Sequence, residues 1–294
     1  MKNGGAAHAR TAVDASTYHA IVPDYSPEET IAALEEVWNA TGQMLGELHP
    51  DAWDLATDCP GWTVRDHVSH MIGTELGLLG TASPPPPEPM PEYVHNPIGQ
   101  SNEAWVEARR HLPGTEVLAE FVEVTARRLE ELRSMTAERW ARPGWSPIGE
   151  APYAEFMQIR IMDCWVHEQD IRWAVDRPGD RGGRGERVSL GRLTAAMGFV
   201  VGRQVAPEDG TTVVFDLSGP VPTVLAVGME GKRASELPSP PAEPSVRIAL
   251  PAEHFVRLTC GRESSEAALA SGEVTLLADE ELGRRVLGAM NIMV

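Results

Sequence analysis

Residues 160–170, "RIMDCWVHEQD", concentrate side chains able to do chemistry. Arg160, Asp163, His167 and Asp170 are spaced 3, 4 and 3 apart, which lays all four along one side of an α-helix. Ile161, Met162, Cys164, Trp165 and Val166 fill the gaps between them. The stripe has two readings. One is the wet face of a surface helix, whose ion pairs contribute only about 0.3–0.5 kcal/mol each. The other is an inward-facing site. Ile159, Ile161, Met162, Trp165, Val166, Ile171 and Trp173 spread around most of the circumference, as on a helix buried on several sides. Charged groups buried there need partners, which either a metal ion or a closed salt-bridge network supplies. Asp163 and His167 stand at i,i+4 with Cβ atoms about 5–6 Å apart, a span that one divalent ion bridges.

A zinc-type catalytic site takes a third protein ligand from elsewhere. Of the nine histidines, only His67 and His70, in "DHVSHM", lie in a second strong helical pattern with apolar neighbours. His67 shares a face with Val64, Val68 and Met71. His70 shares one with Gly73, Thr74 and Gly77, small residues that leave room for an ion and its ligand. Spacing alone leaves both histidines open.

The elements that must position these residues follow from periodicity. "SPEETIAALEEVWNATGQMLGEL" has a Ser-Pro start, an acidic first turn and an apolar stripe of Ile31, Leu34, Val37, Trp38, Met44 and Leu45. "CPGW" at 59–62 is a turn that delivers "TVRDHVSHMIGTELGLLG", where Thr63 and Asp66 stand in capping-box positions. "SPPPPEPMPEY" (83–93) reads as an extended surface linker. "TEVLAEFVEVTARRLEELRSM" (115–135) is amphipathic, acidic early and basic late. The fourth helix spans 153–176 and stops before Pro178-Gly179. These patterns predict a four-helix bundle over 25–180, preceded by a flexible tail over 1–24. After a Gly/Arg linker, one helix over 187–206 leads into strand-like runs at 211–217, 223–229, 245–250 and 273–278, with a further helix in "PAEHFVRLTCGRE". Residues 187–294 therefore read as a small α+β domain, and the fold class as α plus α+β.

Composition narrows the function. The net charge of −18 and pI near 4.9 argue against a nucleic-acid or anionic-membrane partner. No apolar run approaches the roughly 20 residues that span a bilayer, and the first 20 residues lack the apolar block of a secretory signal. Cys59, Cys164 and Cys260 are odd in number and in no CxxC spacing, which predicts a reducing cytoplasm and no structural disulfide. Of 25 basic residues only Lys2 and Lys232 are lysine, the bias of GC-rich coding.

"CPGWTVRDHVSHMIG" followed about ninety residues later by "RIMDCWVHEQDI" resembles the metal-binding domain of the mycothiol-dependent maleylpyruvate isomerases, within the DinB-like bundle superfamily. The resemblance extends over nearly the whole chain after the tail. It implies a DinB-like four-helix metal-binding bundle followed by a small α+β C-terminal domain. It implies His70, Asp163 and His167 as ligands of a divalent metal, with zinc expected, and it places the family's catalytic arginine at Arg262, in "RLTCGRE". Asp163 departs from the family pattern, which has Glu there; the shorter side chain draws the ion toward its helix. Arg160 and Asp170 become outer groups that pair with Asp163 or orient His167, and Cys164 a packing residue.

A centre of two histidines and one carboxylate leaves a coordination position open for sulfur. The resemblance thus implies a cytoplasmic, actinobacterial enzyme that activates mycothiol for S-transfer to a small electrophile, or for its cis–trans isomerisation. Arg262 would hold a substrate carboxylate or a developing enolate. The alternatives are a non-catalytic bundle that holds a metal or small ligand, and a hydrolase with water in the open position.

Overall fold

The computed structural model describes residues 25–293; the tail expected over 1–24 lies outside the described residues. The first helix, α1 (Pro27–Gly46), opens on a complete capping box: the Glu29 amide donates to Ser26 Oγ, and the Ser26 amide donates to Glu29 Oε2. A short 3₁₀ turn (Pro50–Asp54) and the CPGW turn lead to α2 (Val64–Leu78). There the Thr63 amide and hydroxyl both donate to Asp66 Oδ2, at 2.9 and 3.1 Å. Gly61 in this turn has φ +77, and a Cβ on it would land inside the Tyr93 ring, so the linker end at Tyr93 closes over the turn. Then come α3 (Pro97–Glu107), α4 (Gly114–Ser134) and the short α5 (Ala137–Ala141). A hairpin of β1 (Pro143–Ser146) and β2 (Gly149–Pro152) precedes α6 (Tyr153–Ala174).

The four expected long helices are α1, α2, α4 and α6. Neither α3 nor the hairpin follows from the sequence periodicity. Gly73 explains the place of α3: with no Cβ on α2 at that point, the Trp105 ring of α3 lies directly against the helix backbone. Helix α6 is the central element. It buries apolar residues from Phe156 to Ile171 and, with them, Gln158, Arg160, His167, Glu168, Gln169 and Asp170. The charged stripe faces inward.

Helix α7 (Arg184–Ala195) packs on α6, α1 and α9. The single helix expected over 187–206 is a correction: it starts at Arg184, breaks at Ala196 and resumes as α8 (Met197–Phe199). A π-helical stretch, Val200–Val205, follows and ends at Ala206, whose φ is +45. The five-stranded sheet is built from β3 (Thr212–Ser218), β4 (Thr223–Glu230), β5 (Arg233–Glu236), β6 (Val246–Pro251) and β7 (Thr275–Ala278), in the order β5-β4-β3-β6-β7. Only the β3–β6 pair is parallel. Strand β6 alternates buried Val246, Ile248 and Leu250 with half-exposed neighbours, and α9 (Ala252–Thr259) and α11 (Glu280–Gly288) pack on it. The short α10 (Ser265–Ala270) lies between them in sequence. Strand β5, α10 and α11 were not anticipated.

Helix α9 fastens the sheet to the bundle. The Arg257 guanidinium lies 4.6 Å from the Trp173 ring centroid and donates to Asp58 at 2.7 Å. The buried apolar core runs without a break from α1 through α7 into the sheet.

Candidate metal centre

Helices α2 and α6 pack so that His67 and His70 face Asp163, His167 and Asp170. His70 Nε2 lies 3.1 Å from Asp163 Oδ2, and His167 Nε2 lies 3.5 Å from Asp163 Oδ1. A tetrahedral ion with bonds of about 2.1 Å has ligand–ligand edges of about 3.4 Å. His70, Asp163 and His167, the three ligands that the resemblance implies, bring one ligand atom each to within 4.8 Å of one another, close enough for one divalent ion to be shared among them. A second cluster shares His167: its Nδ1 is 2.9 Å from His67 Nδ1 and 3.1 Å from Asp170 Oδ2.

Exposure and charge separate the two clusters. Side chains of His67 and Asp170 are wholly buried, whereas Asp163 is 28% exposed, so only the first cluster opens to an incoming ligand. Asp170 is also fully committed: Arg262 Nε donates to its Oδ1 at 3.0 Å and Arg262 Nη2 to its Oδ2 at 2.9 Å. The structure therefore brings Arg262, from the loop after α9, to the edge of the centre and holds it through Asp170. Arg262 Nη1 donates to the Cys260 carbonyl.

Behind Asp163 runs a buried ion network. Arg160 Nη1 donates to Asp163 Oδ2, while its Nε and Nη2 donate to Glu75 Oε1 at 3.0 and 2.8 Å. Glu75 Oε2 accepts from Arg128 Nε at 3.0 Å, and Arg128 continues to Glu131 and the Tyr153 hydroxyl. Burial alone would push the Asp163 carboxyl up. The Arg160 guanidinium, then His70 and His167, instead hold it well below the usual carboxylate range. Burial pushes both His67 and His70 below the ordinary imidazole value. Burial works the same way on His167, but Asp163 and Asp170 outweigh it and its pKa rises.

Trp62 roofs the centre, its ring centroid 5.3–5.8 Å from those of His67, His70 and His167. Its Nε1 donates to Glu103 Oε2 at 3.1 Å, and Glu103 in turn accepts from Tyr93 and pairs with Arg110. In the sequence Trp62 is part of a turn, and nothing in the spacing of Thr57, Glu75 or Arg128 marks them as site residues. The only signal for Glu75 and Arg128 was a charge within an otherwise buried helical stripe.

None of the three cysteines is poised as a nucleophile. Burial pushes the thiol of Cys59 up to about 11 and those of Cys164 and Cys260 up to about 12. Cys164 is a packing residue beneath the centre, accepting from Trp38 Nε1 and Arg160 Nη2.

The family model for the mycothiol maleylpyruvate isomerase N-terminal domain matches residues 34–172, and that for the MDMPI C-terminal domain matches residues 187–279. The chain belongs to this family. Relatives of this isomerase-family chain include a protein known from two strains of Mycobacterium tuberculosis and described as uncharacterized. It is 27% identical over 201 residues, covering 66% of this chain and 74% of the relative. The crystal structure of the mycothiol-dependent maleylpyruvate isomerase superposes with a TM-score of 0.56 at 20% identity, covering 86% of this chain and 94% of that one. A histidine-to-alanine variant of that enzyme gives 0.53 at 17% identity with the same coverage. At these identities the likeness is one of fold, and it agrees with the expected DinB-like helical bundle followed by a mixed α+β part. No helix among the described residues is long and apolar enough to cross a membrane.

Proposed function

We propose that this family member is a metal-dependent enzyme that activates the sulfur of mycothiol toward a small electrophilic substrate, ending in cis–trans isomerisation or in S-transfer. The observation that carries the reading is the convergence of His70 Nε2, Asp163 and His167 Nε2 from two helices at one partly open point. The donor set fits a divalent cation, with zinc the expected ion: two imidazoles and one carboxylate leave a position vacant for an exogenous ligand. The bound ion supplies the positive charge that favours the thiolate form of a thiol at neutral pH.

The protein's own groups do the rest. Arg160 neutralises Asp163 and fixes its orientation, and Asp170 is neutralised by Arg262. The carboxylates around the centre are thus already matched, so an ion's charge is left for a thiolate and an anionic substrate. The protein's own thiols stay protonated, so the attacking sulfur must arrive from outside. Arg262 acts at the substrate: its N–H groups not engaged by Asp170 and Cys260 meet a carboxylate or a developing enolate. Trp62 covers the imidazoles and keeps bulk water from them. Residues 25–180 would form the metal-binding unit and 187–294 the unit that brings Arg262, in a cytoplasmic protein of actinobacterial type.

Elemental analysis of purified wild type, His70→Ala and His167→Ala is the first test, with about one divalent ion per chain expected in wild type and little in either variant. Metal-loaded protein given a thiol and maleylpyruvate, or a generic electrophile, should turn over only with the thiol present. Full metal occupancy in either variant, or hydrolysis indifferent to thiol, refutes the reading.

A further inference from the structure

The hydrogen bonds beneath the centre determine where its protons lie. Thr57 Oγ1 lies 3.0 Å from the Trp62 carbonyl oxygen, 3.2 Å from the Cys59 amide nitrogen and 2.8 Å from His67 Nε2. A hydroxyl has one proton to give and two lone pairs to accept with. A carbonyl oxygen cannot donate, so the hydroxyl proton goes to Trp62. The Cys59 amide takes one lone pair, and the other faces His67 Nε2, which must then carry the imidazole's proton. His67 Nδ1 lies 3.8 Å from the nearest carboxylate oxygen, that of Asp170, beyond hydrogen-bond reach. His167 Nδ1 lies 3.1 Å from that oxygen, which can only accept, so it holds a proton there, and His67 Nδ1, facing that donor, is a bare lone pair.

That lone pair meets His167 Nδ1 at 2.9 Å, a hydrogen-bond distance at which one nitrogen must donate. The donor is His167. Its Nδ1–H then serves two acceptors at once, His67 Nδ1 and Asp170 Oδ2 at 3.1 Å. The reverse arrangement sets two pairs of lone pairs against each other: Thr57 Oγ1 against the Trp62 carbonyl, and His167 Nδ1 against Asp170.

We propose that Thr57 and His67 are positioning residues which, together with Asp170, lock the Nδ1 proton onto His167 and so present its Nε2 lone pair to His70 and Asp163. The relay starts at a backbone carbonyl of the CPGW turn and ends at the point where the two helices converge. Asp170 attracts the proton, and Thr57 prevents His67 from offering one of its own. The consequence for metal affinity rests on the proposed function; the proton arrangement does not.

The test uses full-length protein with ¹⁵N-labelled histidine, assigned with single His→Gln variants, and long-range ¹H–¹⁵N correlation spectra. In metal-free wild type, His67 is expected with a proton on Nε2 and none on Nδ1; in zinc-loaded wild type, His167 carries its proton on Nδ1. Thr57→Val, which keeps the shape and removes the hydroxyl, should redistribute the His67 proton and weaken Co²⁺ affinity about tenfold or more, in the range seen when outer partners of metal ligands are removed. Thr57→Ser should restore both. A wild-type His67 protonated on Nδ1 overturns the proposal, and so does a Thr57→Val protein with wild-type proton positions and affinity. Two ions per chain would also overturn it, because the second would occupy the His67–His167–Asp170 cluster in place of the shared proton. Wild type that binds no metal yet shows the stated His67 tautomer would sink the proposed function and leave the relay intact.

Discussion

Glu75 is the hinge of the buried ion network, and Glu75→Gln isolates its contribution. Its carboxylate accepts three hydrogen bonds from two guanidiniums, Arg128 Nε at 3.0 Å and Arg160 Nε and Nη2 at 3.0 and 2.8 Å. Glu75 is 1% exposed, Arg128 0% and Arg160 5%, so water compensates none of the three. Gln keeps the shape but removes the charge that both cations face. Breaking a buried pair by removing one partner costs about 3–5 kcal/mol. Arg128 retains Glu131 and Arg160 retains Asp163, which places the expected loss at the lower end, about 3 kcal/mol. At roughly 2–4 °C per kcal/mol for a chain of this size, Tm should fall by about 6–12 °C. Differential scanning calorimetry at pH 7.5 reads this directly. A Tm within about 2 °C of wild type would refute the reasoning, since it would mean that the two guanidiniums do not depend on this carboxylate.

Three further outcomes are expected. Cys59 is only partly buried, yet with its thiol pushed up to about 11 it should react with iodoacetamide at pH 7.5 at least about a hundredfold more slowly than a free thiol of pKa near 8.5. Rapid stoichiometric labelling of the folded protein would contradict this. Gly61→Ala should cost about 2 kcal/mol or more, combining the penalty of a left-handed backbone with the clash against Tyr93; a urea-denaturation midpoint equal to wild type would show that the turn has another conformation. His254 is gripped by Glu263 at 2.7 Å and Glu273 at 3.2 Å; burial opposes its charge, but the hydrogen bonds to the two carboxylates prevail and raise its pKa. A raised folded pKa gives stability that is full below the unfolded value near 6.5 and is lost as pH rises through the folded value. The Tm gap between wild type and His254→Gln should therefore be wider at about pH 6 than at about pH 9, and a pH-independent gap would speak against the ion pairs.

The long elements were legible because their signals are local. The start of α1 at Ser26-Pro27, the Thr63–Asp66 pair and the 3.6-residue apolar period of α4 each depend on neighbours within one or two turns. The hairpin and β5 left little trace, since four-residue strands carry too few alternations to stand out. Helix α3 sits where it does because Gly73 admits the Trp105 ring, a fit that involves two residues 32 positions apart. The break at Ala196 inside an apolar run was invisible to periodicity, which registers burial and not the route of the chain.

At the centre the same division holds. By itself the sequence determined that Arg160, Asp163, His167 and Asp170 share one face of a helix, and that His67 and His70 lie on another. Side-chain phase on a helix follows from residue spacing alone. Only the tertiary structure decided that the two faces meet, that Arg262 reaches Asp170 across 92 residues and that Glu75 lies between two buried arginines. These contacts arise from how helices and sheet pack around a shared core. Burial then makes them obligatory, because a charge or imidazole removed from water must find its partner within the protein.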